Sequence, residues 1–191
     1  MKKVRLISTL LGLILLLVFG GYYLWPKEKT IVTDLLLVEM NINDLTKESV
    51  GIITAKVVNI LPSQQTIGSN GENPSIYTDY ILSIKESIKG KFTKQITLRI
   101  PGGTINKGRW DQLTAEVEDA PRFVIGEEVL VFLSDNDSGF FTLPKNYYTV
   151  EGWFQGKYQI SRNNAINEVQ TIKISDLTRS INSALKSQKI N

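Results

Sequence analysis

Five carboxylates lie close together past the middle of this 191-residue chain: Glu116, Glu118, Asp119, Glu127 and Glu128. A facing pair of such groups, one protonated and one ionised, is the machinery of glycoside hydrolysis. Their setting argues against that use. Glu127-Glu128 ends the stretch DAPRFVIGEE and leads straight into the apolar run Val129 to Leu133, so the pair reads as solvated residues where a loop enters a strand. A carboxylate-dependent hydrolase is therefore the rival reading, not the leading one.

The absence of two residue types removes whole mechanisms. The chain has no His and no Cys. Thiol nucleophiles, a Ser-His-Asp triad and zinc sites built on imidazole or thiolate are all excluded, because each needs one of those groups as base or ligand. Asp135-Asn136-Asp137-Ser138-Gly139 carries alternate oxygens like the start of a calcium loop, but the twelfth position is Asn146, where a bidentate Glu belongs, so the stretch reads as a hairpin turn. Pro101-Gly102-Gly103 does not lead into a phosphate loop and reads as the end of a strand. No enzyme, cofactor or metal site is expected. What remains is recognition by exposed aromatic and basic groups, for which Arg109, Trp110 and Trp153 are the candidate partner-binding residues.

Those residues must be held by a scaffold, and the scaffold reads as mainly β. In Gly51 to Asn59, Ile53, Ala55 and Val57 share one face. In Tyr77 to Ser87, Tyr80, Leu82 and Ile84 oppose Asp79, Ser83 and Lys85; in Gln95 to Ile100, Ile96, Leu98 and Ile100 oppose Thr97 and Arg99. A period of two with one polar side predicts strands with one wet face. Val129 to Leu133 is apolar on both sides and predicts a strand covered twice. Its second cover is expected to be a C-terminal helix over 175–188, where Leu177, Ile181, Ala184 and Leu185 fall at helical spacing behind Ser175 or Asp176 as N-cap. Further strands are expected over 139–143, over 147–160 with bends at Gly152 and Gly156, and near 166–172. Five to seven short strands with bending glycines predict a small closed or partly closed barrel, with a short helix at Asn43–Ser49 ahead of it. Residues 31–50 otherwise fit a strand, a helix or one after the other.

The N-terminus reads differently. Lys2, Lys3 and Arg5 precede Leu6–Trp25, a run without formal charge, about the 20 residues a helix needs to cross a bilayer. A cleaved secretory signal is the alternative, with Val18-Phe19-Gly20 as its processing site, but the run is long for one and ends in a Tyr22-Tyr23-Trp25 belt. The excess of basic residues before the run keeps the N-terminus cytoplasmic and places the body outside the cell. Removing Lys2, Lys3 and Arg5 from the 22 basic residues leaves 19 against 19 acidic ones, so the body is neutral despite a pI near 9.0 and is not expected to bind nucleic acid. The organisation expected is an anchor and juxtamembrane segment at 1–29, a barrel domain at 30–173 and an amphipathic helix at 174–191.

The succession NDLTKESVGIITAKVVNI, IYTDYILSIKESIKG, ITLRIPGG, APRFVIGEEVLVFL and WFQGKYQI, over residues 43–172, resembles a group of mostly uncharacterised bacterial exported or membrane-anchored proteins. Their barrel looks like the OB-type fold of netrin-like modules and tissue inhibitors of metalloproteinases. The resemblance implies a fold and transfers no catalytic residue. The animal inhibitors chelate zinc through an N-terminal Cys, which this chain lacks. The function expected is a non-enzymatic, membrane-tethered binding module for an extracytoplasmic protein or cell-wall polymer, with a permanent subunit of an envelope or secretion assembly as a further alternative.

Overall fold

The computed structural model describes residues 27–33, 37–67, 74–92, 94–108, 111–136 and 141–188. Along these the chain forms β1 (Lys27–Thr33), helix α1 (Ile42–Glu48), β2 (Gly51–Ile60), β3 (Gln64–Ile67), β4 (Pro74–Lys89) and β5 (Gln95–Pro101). It continues through β6 (Gly103–Gly108), β7 (Asp111–Val117), β8 (Glu128–Ser134) and β9 (Tyr147–Val150). A single 3-10 turn at Trp153–Gly156 precedes β10 (Lys157–Ser161), β11 (Asn164–Ile166), β12 (Thr171–Lys173) and helix α2 (Ile174–Gln188). The fold is mainly β, with a C-terminal helix. Among the described residues no helix is long and apolar enough to cross a membrane, and the expected span Leu6–Trp25 lies outside them.

The larger sheet is organised around β2 and β8. Strand β2 pairs antiparallel with β4 on one edge and with β8 on the other, and β4 pairs antiparallel with β5. Strand β9 lies parallel to β5 at Thr97 and Leu98 and antiparallel to β8 at Leu133 and Ser134. The remaining length of β8 pairs with β10, from which β11 and β12 continue as a meander.

Alternation along β8 sends Val129, Val131 and Leu133 to one side and Leu130 and Phe132 to the other. The first set joins Ile53, Val57, Leu82, Leu98 and Val150 in one core. The second meets Leu45 of α1, Tyr158 of β10 and Leu177 and Ile181 of α2 in another. The double cover read from the apolar run is thus supplied on its second side by both helices. Helix α2 begins at Ile174, directly after β12, rather than behind a cap at Ser175 or Asp176; Asp176 lies in its first turn and pairs with Arg179 at 2.9 Å.

Helix α1 is short, and a helix of that length does not persist without help. Its N-cap Asn41 accepts hydrogen bonds from the N–H groups of Asn43 (2.8 Å) and Asp44 (3.1 Å). The Asp44 carboxylate accepts one back from Asn41 N–H, completing a capping box. At the other end the Lys89 ammonium donates to the carbonyls of Thr46 (2.7 Å) and Ser49 (2.5 Å), satisfying groups the helix cannot pair itself. Burial lowers the pKa of Lys89, with Glu48 opposing.

Several expectations are corrected here. Asp79 and Arg99 do not sit on a wet face: they pair across β4 and β5, 4 % and 9 % exposed, through Arg99 Nε and Nη2 to the two Asp79 oxygens at 2.8 Å each. The guanidinium lies 3.7 Å from the Tyr77 ring centre and 4.9 Å from that of Tyr147, with Phe141 closing over Tyr77. Aromatic residues from the segment after β8 have covered a face whose sequence pattern looked solvated. The strand expected over 147–160 is broken at the 3-10 turn, so Tyr148 and Val150 belong to the first core while Tyr158 belongs to the second. The strand expected near 166–172 is two short strands joined at Asn167, whose side chain accepts from the N–H groups of Val169 and Gln170.

A second sheet, of order β1-β7-β6, was not anticipated. Most of its residues are exposed and only Leu113 and Val117 are buried, so it shows no period for sequence reading to find. Gly102 and Gly103, at φ 104° and 133°, turn the chain sharply from β5 into β6, in keeping with the strand end read at Pro101-Gly102-Gly103.

Truncating Leu177 to Ala is expected to cost about 2–5 kcal/mol, measured by chemical denaturation, because it opens a void between α2 and β8. Arg99→Met alone is expected to cost about 3–5 kcal/mol by leaving the Asp79 carboxylate buried without its partner. The pair Arg99→Met with Asp79→Leu should recover most of that loss, and a double-mutant cycle reads the difference.

Candidate functional site

The chain between β9 and β10 carries the most constrained backbone near an open cleft. Gly152 has φ 66° and Trp153 φ 56°, two successive left-handed residues. For a residue with a Cβ that conformation costs about 1–2 kcal/mol and persists only where neighbours dictate it. Three ties do so. Glu151 N–H donates to Phe132 C=O at 2.9 Å, Phe154 N–H to Asp119 C=O at 3.2 Å, and Gln155 N–H to Gly152 C=O at 3.0 Å. At Gly152 a side chain would run into Leu45, and at Gly156 it would meet the Glu151 carbonyl, so both positions require glycine. The bends expected at these glycines are there, and they end a strand instead of curving one.

Gln155, itself buried, reaches back to the segment 37–41. Its Oε1 accepts from Met40 N–H at 2.8 Å and its Nε2 donates to Val38 C=O at 3.0 Å. The two bonds mimic a strand pairing with a side-chain amide, and they lay 37–41 across the surface as a strap. A cleft of about 370 Å³ opens on one side of it, lined by Trp153, Glu151, Thr149, Asn136, Ser134 and Val38. A cleft of about 520 Å³ opens on the other, lined by Phe154, Tyr158, Asn167, Val169 and Gln170. Burial raises the pKa of the Tyr158 phenol, with hydrogen bonds to Gln170 and Asn167 opposing, so it stays protonated at neutral pH.

Of the candidate residues, Trp153 therefore lines a cleft, half-buried on a strained turn. Arg109 and Trp110 lie outside the described residues, between β6 and β7. Sequence reading missed Asn136, Thr149 and Glu151. Their only signal was proximity to turn glycines, and the two strand ends that bring them together are separated by the whole β8–β9 connection.

The carboxylates of the rival reading are dispersed. Glu127 is not solvated: its side chain is 6 % exposed, Oε1 lies 2.8 Å from Lys157 Nζ, and Oε2 accepts from Val124 N–H at 3.0 Å. The same ammonium donates to the Arg122 carbonyl and sits 4.7 Å from the Phe123 ring centre. Glu128 pairs with Lys85 at 2.6 Å on the partly exposed side of the sheet, and that hydrogen bond lowers its pKa. Glu116 lies with Tyr80 and Arg122 in a separate cleft of about 240 Å³ between the two sheets. Glu127 and Glu128 are thus each engaged by a different lysine, which is the arrangement of structural ion pairs. No protein-family model matches the chain, and no curated protein matches it.

Gly156→Ala is expected to destabilise the fold by about 1–3 kcal/mol through the clash with the Glu151 carbonyl, read as a shifted denaturation midpoint.

Proposed function

We propose that the protein is a non-enzymatic binding module, tethered to the membrane by Leu6–Trp25 with its body outside the cell, that holds a saccharide unit of a wall polymer against Trp153. The scaffold in this reading is a small closed barrel of OB type, as in netrin-like modules. The complete circuit of pairings through β2, β4, β5, β9 and β8 supports it, as does the five-stranded plan of that fold.

The observation that carries the reading is the left-handed Trp153 beside the cleft. A sugar offers an apolar C–H face and an edge of hydroxyls, so it needs a flat aromatic surface and hydrogen-bonding groups around it. Trp153 supplies the first and Asn136, Thr149, Glu151 and Ser134 the second, within one cleft of about 370 Å³. Holding the indole on an over-determined backbone removes the entropy that ordering a loose loop would cost on binding.

The chain has no Cys, so Asp135→Cys, exposed beside the cleft, can carry a single benzophenone probe. Full-length protein labelled there and irradiated on intact envelope should give adducts on wall glycan. Trp153→Ala should weaken retention on purified wall by about tenfold or more, the effect of truncating an aromatic anchor. Adducts confined to one protein would replace the glycan with a protein partner. Retention unchanged by Trp153→Ala, with the melting temperature also unchanged, would sink the site.

A further inference from the structure

The register of the smaller sheet ties its position to the uncharged run that precedes it. Strand β1 starts at Lys27, and only Pro26 separates it from Trp25, the last residue of the uncharged run. Two residues of extended chain span at most about 7 Å, so the first residue of β1 cannot leave the layer that borders the hydrocarbon core. Strand β1 pairs in parallel with β7 over its whole length, from Lys27 opposite Asp111 to Thr33 opposite Val117. Strand β6 returns antiparallel beside β7, with Gly108 opposite Asp111. Neighbouring strands are about 4.8 Å apart, so Asp111 and Gly108 fall within about 10 Å of Lys27 whatever the tilt of the sheet.

We infer that the Lys27–Asp111–Gly108 end of this sheet rests in the phospholipid headgroup layer and that its three strands form a stalk holding the larger sheet off the membrane. The inference depends on the anchor reading above. Lys29 and Lys107 are exposed at this end beside Glu28 and Asp111, and their ammonium groups can pair with lipid phosphates. The opposite end joins the body: Gly102 N–H donates to Ile76 C=O at 2.7 Å where β6 leaves β5, and Thr104 N–H donates to Ser63 Oγ at 3.3 Å. A strand of 7 residues advances about 3.3 Å per residue, which limits the stalk to about 20 Å, the far part of it lying against the larger sheet. A stalk also accounts for a sheet that buries little on either face, since its strands need each other rather than a core.

The test uses the full chain in lipid nanodiscs with single cysteines at exposed positions, Lys107→Cys at the membrane end of β6 and Ser183→Cys on α2, each carrying an environment-sensitive fluorophore. With nitroxide-headgroup lipid as quencher, the Lys107→Cys label should lose most of its emission and the Ser183→Cys label should keep it. Equal quenching at the two positions, with the chain still in the disc, would overturn the stalk and leave the anchor standing. A chain that purifies away from the disc would overturn both, and the disc-bound fraction reports that separately.

Discussion

Strand β8 is the constraint on which the two halves of the molecule depend. It is the one stretch whose successive side chains are all needed, Val129, Val131 and Leu133 by one core and Leu130 and Phe132 by the other. A strand half-exposed to water tolerates polar residues at every second position, whereas a strand packed on both faces tolerates none. That is why five apolar residues follow one another here and nowhere else in the described sheet. The same strand also changes partners along one edge, from β10 to β9, so the meander that ends in α2 and the circuit that includes β5 both take their register from it. A shift by one residue would exchange the two cores' side chains and satisfy neither.

The Asp79–Arg99 pair, between β4 and β5, solves a different problem. Burying two charges costs several kcal/mol per ion unless geometry and hydrogen bonds return it, and even good pairs often do no better than apolar residues of the same volume. The two-point contact at 2.8 Å and the rings of Tyr77 and Tyr147 give the guanidinium partners in its plane and across its face. Such a pair tolerates no slip between β4 and β5, because only one register sets Asp79 opposite Arg99. Its contribution lies in specifying that register and in fastening the Phe141–Tyr147 segment over the sheet more than in net stability.

What was legible in the sequence follows from this division. The faces of β2, β5 and β8 were readable because each has a core to bury against, and so was the stripe Leu177, Ile181 and Ala184 on α2. The sheet of β1, β6 and β7 left no trace, since exposed strands need no apolar period, and its parallel pairing joins residues more than eighty positions apart. Parity misled at two places for one physical reason. Asp79 and Arg99 looked solvated, and 147–160 looked continuous, because local alternation carries no information about what a distant segment covers or where a left-handed residue interrupts a strand. Trp153 was legible as an aromatic of interest; its backbone, the cleft and the polar residues around it were not, because tertiary ties from Phe132, Asp119 and Leu45 create them.

The ties at Trp153 also make the two walls of the cleft unlike each other. One wall, Thr149 to Trp153, is fastened to β8 through Glu151 and to the end of the β7 region through Asp119, so it moves only if the cores move. The other wall is the strap 37–41, tied to that turn by two hydrogen bonds from a single amide and carrying Val38 at 79 % exposure. Those two bonds are not its only hold, because Met40 packs against the second core and Asn41 caps the helix that follows. The wall that carries Trp153 is the one tied by backbone hydrogen bonds to the strands. The opposite wall contributes backbone and an exposed valine, held by the Gln155 amide and by the packing of Met40.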